Sequence, residues 1–250
     1  MIEVSTDATG IAEVILNHPP VNALPVQGWF DLAKVVRELG EDPSTRVVVL
    51  RAEGRGFNAG VDIKEIKAGG PRALIGANRG CFAAFAAVYE CAVPVIAAVH
   101  GFCLGGGIGL VGNADMIVAS EDATFGLPEV DRGALGAATH LSRLVPQHKA
   151  RAMMYTSTTA SAAELKRFGS VLEVVPREAL RDTALNLAAQ VAAKDPVVIR
   201  MAKEAFNGID PWDVKRSYRY EQGYTFELNL SGVSDRLRSS FGQEPPAGDE

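Results

Sequence analysis

Residues Ala97 to Val111 read AAVHGFCLGGGIGLV, and Pro128-Glu129 follows about twenty residues later. The apolar run Pro94 to Val99 has the character of a buried strand. It stops at His100-Gly101, and Gly105, Gly106 and Gly107 then open an apolar, helix-like segment. Three adjacent residues without Cβ atoms allow main-chain NH groups at a helix start to approach a ligand, where the helix dipole favours negative charge. The stretch is therefore expected to form an oxyanion site.

Working outward, Ile2 to Ser5 and Ile11 to Leu16 flank Asp7-Ala8-Thr9-Gly10 as a hairpin would. His18-Pro19-Pro20 breaks the pattern, and Val26 to Leu39 places Trp29, Leu32, Ala33, Val36 and Leu39 at helical spacing. Val47 to Leu50 is a β-branched run suited to a strand covered on both faces, and it ends in a second glycine-rich loop, Gly54 to Gly60. One helical turn is predicted over Asp62 to Ile66 and a longer helix over Pro71 to Tyr89. Asp115 to Ala119 reads as a strand, Thr124 to Glu129 as a loop, and Ala137 to Val145 as a helix. The order strand, strand, helix recurs without a fixed-period repeat, which predicts an α/β layered spiral over residues 1–175. From Pro176 only helices are expected, about Arg177 to Ala193, Pro196 to Asn207 and Pro211 to Asn229, in a region spanning 176–242. Trp212, Tyr218, Tyr220, Tyr224 and Phe226 are too apolar for a solvated appendage and should pack on the body or on a neighbouring subunit. Residues 243–250, polar and rich in Pro and Gly, are expected to form a disordered tail.

With 250 residues, 47% of them hydrophobic, the chain can bury a sizeable core. A formal charge of -5 without a Lys/Arg cluster gives no reason to expect nucleic acid as a partner. No uninterrupted apolar run approaches the ~18 residues a membrane span needs, and no basic-then-apolar leader pattern opens the sequence, so a cytoplasmic protein without a membrane partner is expected. Cys81, Cys91 and Cys103 lack CxxC spacing and sit among apolar residues, as buried free thiols would; no metal site is expected.

Two glycine-rich loops, each following a strand, suggest paired NH donors converging on one oxygen, as a thioester passing through an enolate or tetrahedral oxyanion requires. Tight turns and close packing are the plainer use of the same glycines. Gly107 to Gly112 also matches GxGxxG, but the match begins inside an apolar segment and Glu129 follows Pro128 in a loop, so a dinucleotide site is rejected. No GK[ST] follows the glycines, which rejects a P-loop. Glu129, beside Phe125, Leu127 and Val130, is the candidate base because desolvation would raise its pKa. Asp131 and His140 are possible helpers. Structural roles are the simpler expectation for both, since Asp131 can pair with Arg132 or Arg143 and His140 falls within a helical pattern.

Five stretches together resemble the enoyl-CoA hydratase/isomerase (crotonase) superfamily: Asn22-Ala23-Leu24, Phe57 to Ile63, Ala98 to Gly101 with Leu104 to Gly107, Phe125 to Glu129, and Arg143-Leu144. The resemblance implies a crotonase-like spiral of strand-strand-helix units, a C-terminal helical trimerisation region, and an acyl-CoA substrate. It also implies a homotrimer or hexamer, with no cofactor beyond the CoA of the substrate itself. The oxyanion donors would be the NH groups of Val61 and Gly106. Ala59, Asp62, Ile63 and Gly105 would contact CoA or substrate, and Glu129 would match the second of two hydratase glutamates.

The first hydratase glutamate is replaced by Gly109, the aspartate of dienoyl isomerases by Ala137, and a PGxGG run by Leu135 to His140. A single base with an oxyanion hole suits reactions that pass through an enolate. Arg51 to Asp62, Ala77 to Phe82 and Arg132 to His140 resemble the actinobacterial steroid-degradation branch of the family. Its members hydrolyse a carbon-carbon bond to open the ketone ring of a bicyclic keto-indene carboxyl-CoA. On this reading Gly109, Gly136 and Ala137 should leave room for fused rings. The alternatives are an enoyl-CoA hydratase or isomerase of fatty-acid β-oxidation and an inert acyl-CoA-binding homologue.

Overall fold

A computed structural model describes residues 1–240; the tail expected over 243–250 lies outside the described residues. Six strands form the main sheet in the order β1 (Ile2–Thr6), β2 (Ile11–Leu16), β3 (Val47–Ala52), β4 (Val95–Val99), β6 (Met116–Ser120) and β9 (Glu173–Val175). Only β1 runs antiparallel to its neighbour; the others pair in parallel, with Val14 beside Leu50, Leu50 beside Ala97 and Ala97 beside Ile117. Side chains alternate across a strand, so one run of valines feeds two cores. Val48 and Leu50 face the larger core, under α1 (Val26–Glu41) and α2 (Ile63–Glu90). Val47 and Val49 face Leu180, Ala184 and Ala188 of α7 (Leu180–Ala192).

A second sheet stands beside the first, built from the three-residue strands β5 (Phe102–Leu104), β7 (Thr124–Gly126) and β8 (Thr159–Ser161), with Asn58 bridging to Cys103. After β4 and β6 the chain turns into this layer, as β5 and β7, and then into a helix. At the His100-Gly101 corner, Gly101 takes φ 60, and a Cβ there would overlap the Arg55 carbonyl oxygen. The segment expected to be a loop after Ala123 is instead β7 followed by a 3-10 helix, Pro128–Arg132; three residues are too short to show a period of two. The predicted turn and long helix are α2, broken at Gly70 with φ 57 just before Pro71.

Between residues 146 and 175 the chain forms α5 (Gln147–Thr156), β8, α6 (Ala162–Phe168) and β9, none of which periodicity reveals. Ser161 and Glu164 do form a capping box at the start of α6, and that signal is present in the sequence. Beyond α7 come α8 (Pro196–Ile209), α9 (Val214–Leu230) and α10 (Val233–Ser240). Tyr218 of α9 enters the main core, whereas Trp212, Tyr220 and Tyr224 stay exposed. All three cysteines are buried and free. Among the described residues no helix is long and apolar enough to cross a membrane, and no group of three potential metal ligands occurs.

Glu13 of β2 fastens α7 to the sheet. Its carboxylate accepts from Arg51 Nε at 2.7 Å and from Arg181 Nη2 and Nε at 2.6 and 2.9 Å, and these partners hold its pKa below the ordinary range. Breaking a fully buried ion pair costs about 3–5 kcal/mol. Arg181 is half exposed and solvent screens it, so Glu13→Ala should cost about 2 kcal/mol in urea denaturation at pH 7. A lowered carboxylate pKa contributes stability that is lost as pH falls, so the gap between variant and wild type should shrink on acidification.

Candidate active site

The glycines after β5 form a cradle. Gly105, with φ 57, donates its NH to the Gly126 carbonyl of β7 at 3.1 Å, and Gly106 begins α3 (Gly106–Val111). As the first residue of that helix, Gly106 has an NH without an intrahelical acceptor. On the neighbouring loop, Leu24 donates to the Gly60 carbonyl and accepts from Asp62 NH, both at 3.0 Å. This parallel bridge uses the groups flanking Val61 and turns the Val61 NH the other way. Asn58 fixes the loop by donating to the Asn22 carbonyl at 2.5 Å and accepting from Gly60 NH at 2.8 Å. A Cβ on Gly60 would lie 3.2 Å from the Gly106 nitrogen, so the two loops touch. Val61 and Gly106 both line one cavity, and neither NH has a protein acceptor among the described residues.

Glu129 lines the same cavity from the 3-10 helix. A Cβ on Gly105 would overlap its Oε1, and a Cβ on Gly136 would lie 2.8 Å from Cδ and 2.9 Å from Oε2, so two glycines with positive φ sandwich the carboxyl group. The residue is only partly buried, but Oε2 is occluded and has no hydrogen-bond partner. Burial pushes its pKa up to about 7, with Arg132 opposing the rise and Glu221 adding to it. A carboxylate that exchanges a proton near neutrality is suited to general-base work. Among the described residues lining the cavity, Glu129 is the only acidic side chain.

The other expected site residues lie at different depths. Ala59 and Ile63 line the cavity, Gly105 stands behind the Glu129 carboxyl, and Asp62 caps α2 by accepting from the NH groups of Lys64 and Glu65. Asp131 is exposed on the 3-10 helix. Its anticipated partner Arg143 instead pairs with Asp210. His140 is buried between Phe85 and Tyr218, each ring 5.1 Å away, outside the cavity lining. Desolvation and the Arg143 charge hold its pKa down at about 3, so the ring is neutral. Gly136 and Ala137 do line the cavity, but the room expected at Gly109 is taken by the ring of Phe85, which a Cβ there would overlap. Gly109 accommodates an aromatic side chain, not substrate.

The far wall escaped sequence reasoning. It consists of Asn78, Cys81 and Phe85 from α2, Tyr218, Gln222, Thr225 and Asn229 from α9, and Arg238 from α10. The α9 helix also clamps the loop that carries Gly136. Glu221 accepts from Ala138 NH at 2.7 Å and Thr139 NH at 3.2 Å, and Thr225 Oγ1 accepts from Leu135 NH at 3.3 Å. Burial raises the Glu221 pKa to about 7. The available signal was the recurrence of Tyr218, Gln222, Thr225 and Asn229 at three- and four-residue spacing on one helix face.

The packing at Gly109 has a direct consequence. Gly109→Glu should destabilise the fold by at least about 2 kcal/mol through overlap with Phe85, and Phe85→Ala in the same chain should recover part of the loss, read as Tm by calorimetry.

Comparison with known proteins gives the family. A family model described as enoyl-CoA hydratase/isomerase matches residues 6–225. A (7aS)-7a-methyl-1,5-dioxo-2,3,5,6,7,7a-hexahydro-1H-indene-carboxyl-CoA hydrolase of Rhodococcus jostii is 68% identical over 95% of this chain and 92% of its own length. The protein of the same name from Mycobacterium tuberculosis is 66% identical over 95% of this chain and 96% of its own. The crystal structure of an enoyl-CoA hydratase from Mycobacterium smegmatis superposes with a TM-score of 0.80 at 31% identity, covering 95% of this chain and 96% of that one. With the family model spanning most of its length, the chain belongs to the enoyl-CoA hydratase/isomerase family.

Proposed function

We propose that this enzyme hydrolyses a carbon-carbon bond of a bicyclic keto-indene carboxyl-CoA, opening its five-membered ketone ring. The observation that carries the reading is Glu129, whose occluded carboxyl is the only acidic group among the described residues lining the cavity with Val61 and Gly106, and whose pKa burial pushes up to about 7. The names of the relatives at 66–68% identity support the substrate.

The step balances with water alone, so no cofactor is invoked and CoA enters as part of the substrate. The Glu129 carboxylate takes a proton from water as its oxygen adds to the ring ketone. The adduct collapses to a carboxylic acid, and the electron pair of the broken carbon-carbon bond moves into a system conjugated to the thioester. The NH groups of Val61 and Gly106 hold the resulting enolate oxygen, each worth about 3 kcal/mol of barrier. Proton return from Glu129 to carbon completes the cycle. Ala59, Ile63 and Gly105 would contact the CoA ester around this centre. Asp131, exposed, and His140, neutral and behind Phe85, have no part in it. An enoyl-CoA hydratase or isomerase is the second reading. Hydration by a carboxylate pair is opposed by Phe85 at the place where a second carboxylate would stand.

The exposed apolar residues of α8 support assembly into a homotrimer or hexamer. Val197, Val198 and Met201 face solvent, as do Phe206 at 71% and Ile209 at 75% exposure. Sedimentation should give three or six chains, and a monomer would overturn this. Three buried free thiols favour a reducing, cytoplasmic setting.

Mass spectrometry of products should show a gain of one water and ring opening from the indene ester, with crotonyl-CoA untouched; the reverse pattern would establish a hydratase. Because the base must be ionised, kcat/KM should rise with pH through about 7. Glu129→Gln should lower kcat by about 10²–10⁴-fold. A carboxylate whose pKa is raised on folding loses stability as pH climbs from its unfolded value to its folded one. Glu129→Gln should therefore match wild type in unfolding free energy near pH 4 and exceed it by up to about 3 kcal/mol at pH 8, read by urea denaturation.

A further inference from the structure

The chemistry above places the thioester oxygen on the Val61 and Gly106 NH groups, leaving the ring ketone to find its own donor. Most polar side chains on the far wall are committed to the protein. Gln222 donates Nε2 to the Asn78 carbonyl at 2.8 Å and accepts from Arg219 at 2.9 Å. Thr225 accepts from Leu135 NH, while Asn229 donates to the Thr225 carbonyl at 2.7 Å and accepts from Arg238.

Asn78 differs. Its side chain lines the cavity one turn of α2 before Cys81, and its Nδ2 is occluded from solvent and has no protein partner among the described residues. A buried donor left open in this way calls for an acceptor from outside the chain. The backbone behind it is anchored: Gln222 grips the Asn78 carbonyl, and Arg219, which holds Gln222, lies over the Phe82 ring at 5.3 Å. The amide is thus presented by a fixed segment.

We propose that Asn78 is a specificity-determining residue whose side-chain amide donates a hydrogen bond to the ring ketone oxygen of the CoA ester, at a subsite separate from the thioester oxyanion hole. The assignment rests on the ring-opening reading. A neutral amide suits a neutral carbonyl, and the bond strengthens as water adds and that oxygen gains charge, so it favours the transition state over bound substrate. A site built around such a bond discriminates against a ligand lacking the oxygen, because the donor is then left buried and unpaired.

The test uses two ligands, the dioxo-indene carboxyl-CoA and an analogue whose five-membered-ring ketone is reduced to methylene. Binding of both is measured by calorimetry in a Glu129→Gln background, with Asn78 intact and as Asn78→Leu and Asn78→Ala. With Asn78 intact the keto ligand should bind about 10-fold more tightly than the analogue; both substitutions should abolish that preference and leave analogue affinity within about twofold. With Glu129 present, Asn78→Ala should lower kcat on the keto ester by about 10–100-fold with a smaller change in KM. Equal weakening of both ligands would mark a merely structural role and overturn the proposal, as would a ketone preference that survives substitution. Should wild type fail to hydrolyse the keto ester while the Asn78-dependent preference persists, the hydrolase reading falls and the ketone subsite stands.

Discussion

A carboxylate oxygen without a partner, held in a desolvated place, is the constraint around which this enzyme is arranged. Glu129 can be accommodated only because Gly105 and Gly136 offer no side chain where its oxygens lie, and each glycine is kept in place by structure far from it in sequence. Gly105 is tied to β7 through the Gly126 carbonyl. Gly136 belongs to a loop that α9 grips through Glu221 and Thr225. The three-stranded sheet and α9 thus converge on one side chain. The energetic cost of an unpaired buried acid is what keeps its proton exchangeable near neutral pH.

The packing at Gly109 shows how a position without a side chain is filled from a neighbouring helix. Gly109 leaves no empty pocket, because Phe85 fills the space and joins Trp29, His140 and Tyr218 in an aromatic cluster beneath the cavity. The centroids of Trp29 and Phe85 are 5.7 Å apart in an edge-on arrangement, a geometry that stabilises the floor as well as filling it. Trp29 also backs onto Gly106, so the floor of the site and one of its NH donors share a support.

Much of this was legible in the sequence, for identifiable reasons. The β-branched run at Val47 announced a strand covered on both faces and the apolar run at Val95 a strand, and Gly70-Pro71 divided α2 as the local chemistry required. Glu129 and the two glycine loops stood out because each departs from its surroundings. The three-residue strands β5, β7 and β8 were illegible because they are shorter than any recognisable period. The far wall was hidden for a different reason: α2 and α9 meet across about 140 residues, and nothing local at Asn78 or Gln222 tells which helix will face them. Gly109 misled for the same reason, since the space left by a missing side chain belongs to whatever neighbour reaches it first.

The clamp from α9 and α10 also bears on how the protein matures. Contacts joining Gly133 to Ser234, Leu135 to Thr225 and Ala138 to Glu221 each close a loop of 80 or more residues. Long closures form late, because their entropic cost must be met before they return any stabilisation. During synthesis the parallel sheet and its glycine loops emerge first, and the cavity remains open on one side until the last quarter of the chain docks. Competence for chemistry therefore arrives with the final helices, so a nascent chain can present a folded sheet well before it has an enclosed site.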